Sequence, residues 1–313
     1  MRPRQQASAA FVKRQVETGP LPRNQIATIS GLTNTYIRDL ERGAIANVER
    51  GKIIALGLGL NLSLSQLDEM LLLFDRAPLT LDDIPLFLAV AGRCKSTSVL
   101  LPMRNFLAFD LYTIAAIRIP GAHALSSYKP MAALQPRGYR HYEHRERLHE
   151  HHLYGDLVEA VGEEMTTRLE QHLETHRVDQ YVSRHAMAEY LKTDQDPEQR
   201  RWHVHHVRQL LESLDRHPHL DFYLTQESSS FLFTLKTTSE TTKANDRILI
   251  SSLAPPGPKF RNLGLLAGFT TSNPVVVASF MEEVEVLKSM VVEKYREKGD
   301  AIRYLEGMIQ NKK

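Results

Sequence analysis

The stretch that most constrains this chain is Pro20 to Gly43, PLPRNQIATISGLTNTYIRDLERG, in which two short helical patterns are separated by only four residues. Ile26, Ala27 and Ile29 make one apolar face and Tyr36, Ile37 and Leu40 the other, at the spacing of a helix rather than of a strand. Ser30-Gly31-Leu32-Thr33 leaves room for nothing but a tight turn. Ala27 is small where two helices must cross, Gly31 can take a positive φ, Leu32 fills the gap, and Thr33 can cap the second helix. Each local choice supports the same geometry.

The flanks extend it. Phe11, Val12 and Val16 give a preceding helix an apolar face, and Gly19-Pro20 ends that helix, because glycine favours the left-handed exit and proline cannot continue. Ile53 to Leu60 and Ser63 to Phe74 read as a fourth and a fifth helix. Gly51, Gly57 and Gly59 each cost about 1 kcal/mol relative to alanine in a helix interior, which predicts a short or frayed fourth helix.

Ile26-Ala27, Gly31-Leu32-Thr33 and Tyr36-Ile37-Arg38-Asp39-Leu40-Glu41-Arg42-Gly43 together resemble the Cro/Xre-type helix-turn-helix family over about a quarter of the chain. Pro22 departs from the pattern, standing where a Ser or Thr cap is usual. The resemblance implies a double-stranded DNA operator as partner, with the second helix of the pair in the major groove. Its candidate contact set is Arg23, Asn24, Thr33, Asn34, Thr35, Tyr36, Arg38 and Arg42. Asn34 can bond adenine twice, Thr33 and Thr35 offer hydroxyls and methyls, Arg38 can reach guanine or phosphate, and Arg23 and Arg42 suit phosphates. It implies a homodimer as well, reading two half-sites about one helical turn apart.

Charge fits that reading by its distribution, not its total. The net charge is only +2, yet residues 1–50 hold eight Lys/Arg against four acids, so the basic end is where a phosphate-facing surface is expected. With 313 residues, 42% hydrophobic and 24% charged, the chain has material for about two domains. No apolar run approaches the ~18 residues of a bilayer span. The basic start runs into FVKRQVE rather than an apolar stretch, so a cytoplasmic protein with no membrane partner is expected. Cys94, the one cysteine, can form neither an internal disulfide nor a multi-cysteine metal site.

The expected fold is a mainly α N-terminal half, a five-helix helix-turn-helix domain over 1–76 with a helical extension over 77–155, followed by an α+β effector or dimerisation domain over 156–313. Leu86, Phe87, Val90 and Ala91 continue the helical reading, whereas the apolar stretch 95–135, broken by Pro102, Pro120 and Gly121, suits helix or buried strand. From Leu157 to His217 long helices are predicted, one through Leu169, Leu173, Tyr181, Val182, Met187 and Leu191, and another capped by Asp196 with Pro197 first and Val207, Leu210 and Leu214 on its stripe. That stripe suits core or a dimer contact. Strands are predicted at Phe222–Leu224, Phe231–Leu235 and Ile248–Ser251, then a rigid loop at Pro255–Pro258. A last long helix opens with Asn273 as cap, runs through Val284, Leu287, Val291 and Tyr295, and breaks at Gly299 before a final turn around Leu305.

The histidines invite a metal reading, since His141/His144 and His149/His152 are three apart, as on one helix face, and His203, His205 and His206 cluster. No HExxH pattern accompanies them, and the first run reads as a solvated face. Nucleophile-elbow, phosphate-loop and dinucleotide motifs are absent, so neither an enzyme nor a cofactor is expected. The sequence points to a transcriptional regulator whose C-terminal part senses a small-molecule effector or dimerises; a protein partner in that place, or a fused enzyme, are the alternatives.

Overall fold

A computed structural model describes residues 3–19, 21–92, 94–95, 98, 100–103, 106–192, 196–238, 245–251 and 268–310. The stops expected at Pro20, Asp194-Gln195 and Pro255–Pro258 lie outside these residues. Five helices lead: α1 (Pro3–Thr18), α2 (Arg23–Ser30), α3 (Asn34–Glu41), α4 (Arg50–Gly59) and α5 (Leu64–Leu73). A 3-10 turn at Leu81–Asp83 opens α6 (Ile84–Ala91). The amphipathic spacing seen in the sequence is the packing: Phe11, Val12, Ile26, Ile37, Leu40, Ile53, Ile54, Leu67 and Met70 share one core.

The fourth helix is neither short nor frayed. It runs ten residues, and every one from Ile53 to Gly59 is buried. Its glycines permit close packing that a residue-by-residue propensity sum cannot register. A Cβ at Gly59 would lie 2.9 Å from the Ile26 carbonyl oxygen and 3.0 Å from Ser30 Cβ, so α2 could approach α4 only against glycine. Because the obstacle is backbone, the gain of about 1 kcal/mol from helix propensity is outweighed by overpacking of about 1–3 kcal/mol. Gly59→Ala should therefore lower unfolding free energy in a urea titration. Gly51→Ala, whose Cβ meets nothing nearer than Leu86 at 3.8 Å, should leave it equal or higher.

A mixed seven-stranded sheet organises the C-terminal half. Its strands are β1 (Leu101–Met103), β2 (Ala122–Ser127), β3 (Val178–Ser183), β4 (Leu220–Thr225), β5 (Leu232–Thr237), β6 (Arg247–Ser251) and β7 (Gly268–Thr271), in the order β1-β7-β6-β5-β2-β3-β4. β2, β3 and β4 are parallel, joined through α9 (Tyr154–Leu173) and α11 (Pro197–Arg216), as parallel neighbours require. The remaining pairs are antiparallel. α7 (Phe106–Arg118) and α9 cover one face and continue the core of the N-terminal helices; α12 (Pro274–Ser289) covers the other through Val277, Val284 and Leu287.

The three predicted strands are β4, β5 and β6, within a residue or two. Four others were not predicted. β1 and β2 come from the ambiguous 95–135 stretch, so the sheet begins inside the segment read as a helical extension. Tyr181 and Val182, read as helical, lie in β3, between two parallel partners that bury nearly the whole strand; tertiary pairing overrides a spacing that suited either structure. Asp196 caps α11 and Asn273 caps α12, each with proline first. α12 stops at Ser289, so Val291 and Tyr295 fall beyond it, and Gly299 sits in the first turn of α13 (Lys298–Gln310) rather than at a break. The α11 stripe of Val207, Leu210 and Leu214 is spent within the chain, in the same core as β4 and α13. Among the described residues no helix is long and apolar enough to cross a membrane.

Candidate nucleic-acid interface

α2 and α3 are joined as the short spacing requires. Gly31 takes φ +68°, the left-handed exit that a Cβ disfavours, and the Thr33 hydroxyl accepts from the Tyr36 amide at 3.1 Å. Pro22 stands at the start of α2 without a side-chain cap. The Arg23 guanidinium grips Glu41 by two bonds, Nε to Oε1 at 3.0 Å and Nη2 to Oε2 at 2.9 Å. This fork ties the start of α2 to the end of α3 and holds their crossing rigid.

The eight candidates divide by environment. Ile37 and Leu40 turn α3 inward, leaving Thr33, Asn34, Thr35 and Arg38 exposed on its outer side and first turns, with Arg42 exposed just past its end. Arg38 and Arg42 have no ion-pair partner among the described residues. Asn24 is exposed on α2, its Oδ1 accepting from the Gln25 amide at 3.0 Å. Tyr36 is half-buried; its hydroxyl is harder to ionise because of burial and the nearby Glu49 charge. Lys52, absent from the candidate set, lies with its ammonium 5.2 Å from the centre of the Tyr36 ring, joining a cation from α4 to the same surface. No one-dimensional signal marks it, since it arrives from the next helix in the chain.

Polar contacts join these helices to the rest of the molecule. Arg50, at the start of α4, binds Asp83 through Nε and Nη2 and the carbonyls of Ala77 and Pro78. Burial alone would raise the Asp83 carboxyl, but the Arg50 guanidinium and the Thr80 amide outweigh it and hold the group below its ordinary value. His151 Nε2 meets Asp68 Oδ2 at 2.9 Å, and its Nδ1 accepts from the Leu153 amide, so the ring donates to Asp68. Ser65 donates to the Glu150 carbonyl. Beside these contacts a mainly apolar cavity of about 250 Å³ separates α4 and α5 from α9.

The histidine run is thus not one solvated helix face. A short helix, α8 (Tyr139–Glu143), carries His141 and ends before His144, while His149 lies in a separate 3-10 turn at Arg145–Glu150 and His152 is outside any helix. His203 and His206 are buried structural groups. His206 Nε2 donates to the Met131 carbonyl while its Nδ1 accepts from the Tyr190 hydroxyl at 2.9 Å, and His203 donates to the Tyr190 carbonyl. Burial and the Lys129 charge push His206 down to about 3, so it is neutral at physiological pH. Among the described residues no group of three His, Cys, Asp or Glu side chains is placed to hold a metal ion. Comparison with protein-family models, curated proteins and solved structures finds no match.

Proposed function

We propose that this chain is a sequence-specific DNA-binding transcriptional regulator that reads the major groove with α3 and acts as a homodimer. The observation carrying this reading is the surface of α3: a polar row, Thr33, Asn34, Thr35 and Arg38, on a short helix whose inner side is locked by Ile37 and Leu40. A helix held this firmly, with amide, hydroxyl and guanidinium groups outward, meets the requirements of base-edge readout. Arg42 and Lys52 supply flanking cations for phosphates, the sequence-independent share of affinity. The Arg23–Glu41 fork acts behind the surface, fixing the angle at which α3 is presented.

The test is selection of bound duplexes from a random pool by the full chain at near-physiological salt. Enrichment of a palindromic site is the expected result, its half-site spacing measuring the dimer. No enrichment, together with binding that depends on salt but not on sequence, would overturn the reading.

A further inference from the structure

The cavity of about 250 Å³ between the leading helices and α9 draws its walls from both halves of the chain. Leu58 of α4, Leu62 of the turn that follows and Leu67 of α5 come from one half, and Leu107 of α7 with Leu157 and Val161 of α9 from the other. All but the half-buried Leu107 are buried. Walls of this kind are poorly wetted, and their atoms gain dispersion contacts when an apolar body lies against them. A dry cavity of about 150 Å³ accommodates a single benzene ring, so this one has room for roughly two fused rings or a medium-length chain.

Its charged lining is already matched from within the chain. The Arg147 guanidinium forks Glu150, Nε to Oε1 at 2.8 Å and Nη2 to Oε2 at 3.0 Å, and lies 5.2 Å from the centre of the Tyr154 ring. Asp110 Oδ2 accepts from Arg140 Nη1 at 2.8 Å. Both His151 nitrogens are engaged, one donating to Asp68 and the other accepting from the Leu153 amide. A further charge entering here would shed its water and find each opposite charge already answered, a penalty that falls on an ion and spares a neutral molecule.

A neutral oxygen, by contrast, has a partner. The Tyr154 hydroxyl lies 3.3 Å from His144 Nδ1. Burial, with the Arg147 charge opposing it, pushes that hydroxyl up to about 12, so it keeps its proton. Burial outweighs the Asp110 and Glu143 charges and holds His144 below its ordinary value, so its ring is uncharged at neutral pH. A phenol hydroxyl both donates and accepts, and can therefore meet His144 and a ligand together.

We propose that this cavity binds an uncharged small molecule with a two-ring or medium-chain apolar body and one neutral oxygen that bonds to the Tyr154 hydroxyl. Because the occupant touches α4 and α5 on one side and α9 on the other, its affinity depends on how these helices stand apart, which is the condition for it to bias the presentation of α3. As the effector of the regulator proposed above the ligand rests on that reading; its binding does not.

The experiment titrates the full chain near neutral pH with octan-1-ol and 2-naphthol, and with octanoate, octylammonium and 2-naphthoate as charged counterparts. Calorimetry and thermal melting are the readouts. At least one alcohol is expected to bind saturably, about tenfold or more tighter than its charged counterparts, and to lose that affinity in Val158→Phe, where a larger side chain on the half-buried α9 wall takes the space. Leu64→Phe, on the facing wall, serves if Val158→Phe does not fold. Tyr154→Phe should weaken the alcohol roughly two- to tenfold, the worth of one neutral hydrogen bond. Absence of saturable binding by both alcohols, equal binding of a charged counterpart, or undiminished binding by the filled variant would each overturn the site, and unchanged affinity in Tyr154→Phe would overturn the place given to the oxygen. Operator affinity with and without the bound alcohol separates the two readings: binding by a chain that selects no duplex sinks the regulator and leaves the site intact, whereas a selected duplex held equally in both conditions removes the effector role alone.

Discussion

Asp83→Ala should lower the unfolding free energy by about 3 kcal/mol, the lower end of the range for stripping one partner from a buried ion pair. The Asp83 side chain is 4% exposed and Arg50 25%, so the orphaned guanidinium can turn partly to water, which sets the estimate at that end. Two further bonds go with the carboxylate, since Asp83 Oδ2 also accepts from the Thr80 amide and hydroxyl. The linkage has a definite sign. A carboxyl held below its unfolded value of about 3.9 contributes fully above that pH and loses its contribution as pH falls through the folded value. Urea titrations of the wild type, Asp83→Ala, Arg50→Met and the double variant should give a large coupling energy at pH 7 that shrinks below about pH 4. Additive effects at pH 7 would mean that the pair does not join α4 to α6 energetically.

Asn34→Ala should leave stability unchanged and relax base specificity by about 1–3 kcal/mol, or 5- to 150-fold, at one operator position. The side chain is exposed at the first position of α3, where nothing of the core depends on it. Arg23→Ala provides the contrast. It strands Glu41, whose side chain is only 10% exposed, so it should lower the melting temperature and weaken binding to all sequences alike, with the salt slope unchanged because the fork acts behind the surface. Competition assays on the selected site, on its single-base variants and on random duplex separate the patterns. Equal losses on specific and random DNA from both substitutions would contradict the roles assigned to them.

Much of the N-terminal arrangement was legible because its signals are short. Gly31, Thr33, Ile37 and Leu40 act over four residues or fewer, and so do the caps Asp196 and Asn273 with their prolines. β4, β5 and β6 announced themselves through alternation and bounding turns. The fourth helix was misjudged for the opposite reason: the glycine penalty is local, whereas the compensating approach of α2 is not. The histidines misled similarly, since a spacing of three implies one face only if the helix continues, and here it breaks at His144.

Sequence alone determined the elements whose stability is decided within a turn or two: the α2–α3 turn, the outward polar row of α3, the capped starts of α11 and α12, and three antiparallel or edge strands. Tertiary structure decided the rest. β2 and β3 are strands because neighbours on both sides satisfy their backbones, β3 between two parallel partners and β2 between a parallel and an antiparallel one, and their residues match helix or strand equally well. Arg50 meets Asp83 across 33 residues. His123, Lys236 and Arg247 become one basic row only through the register of three strands, in which β2 pairs with β5 from far downstream in the chain. Local interactions are written in consecutive residues; register and burial depend on the whole chain closing on itself.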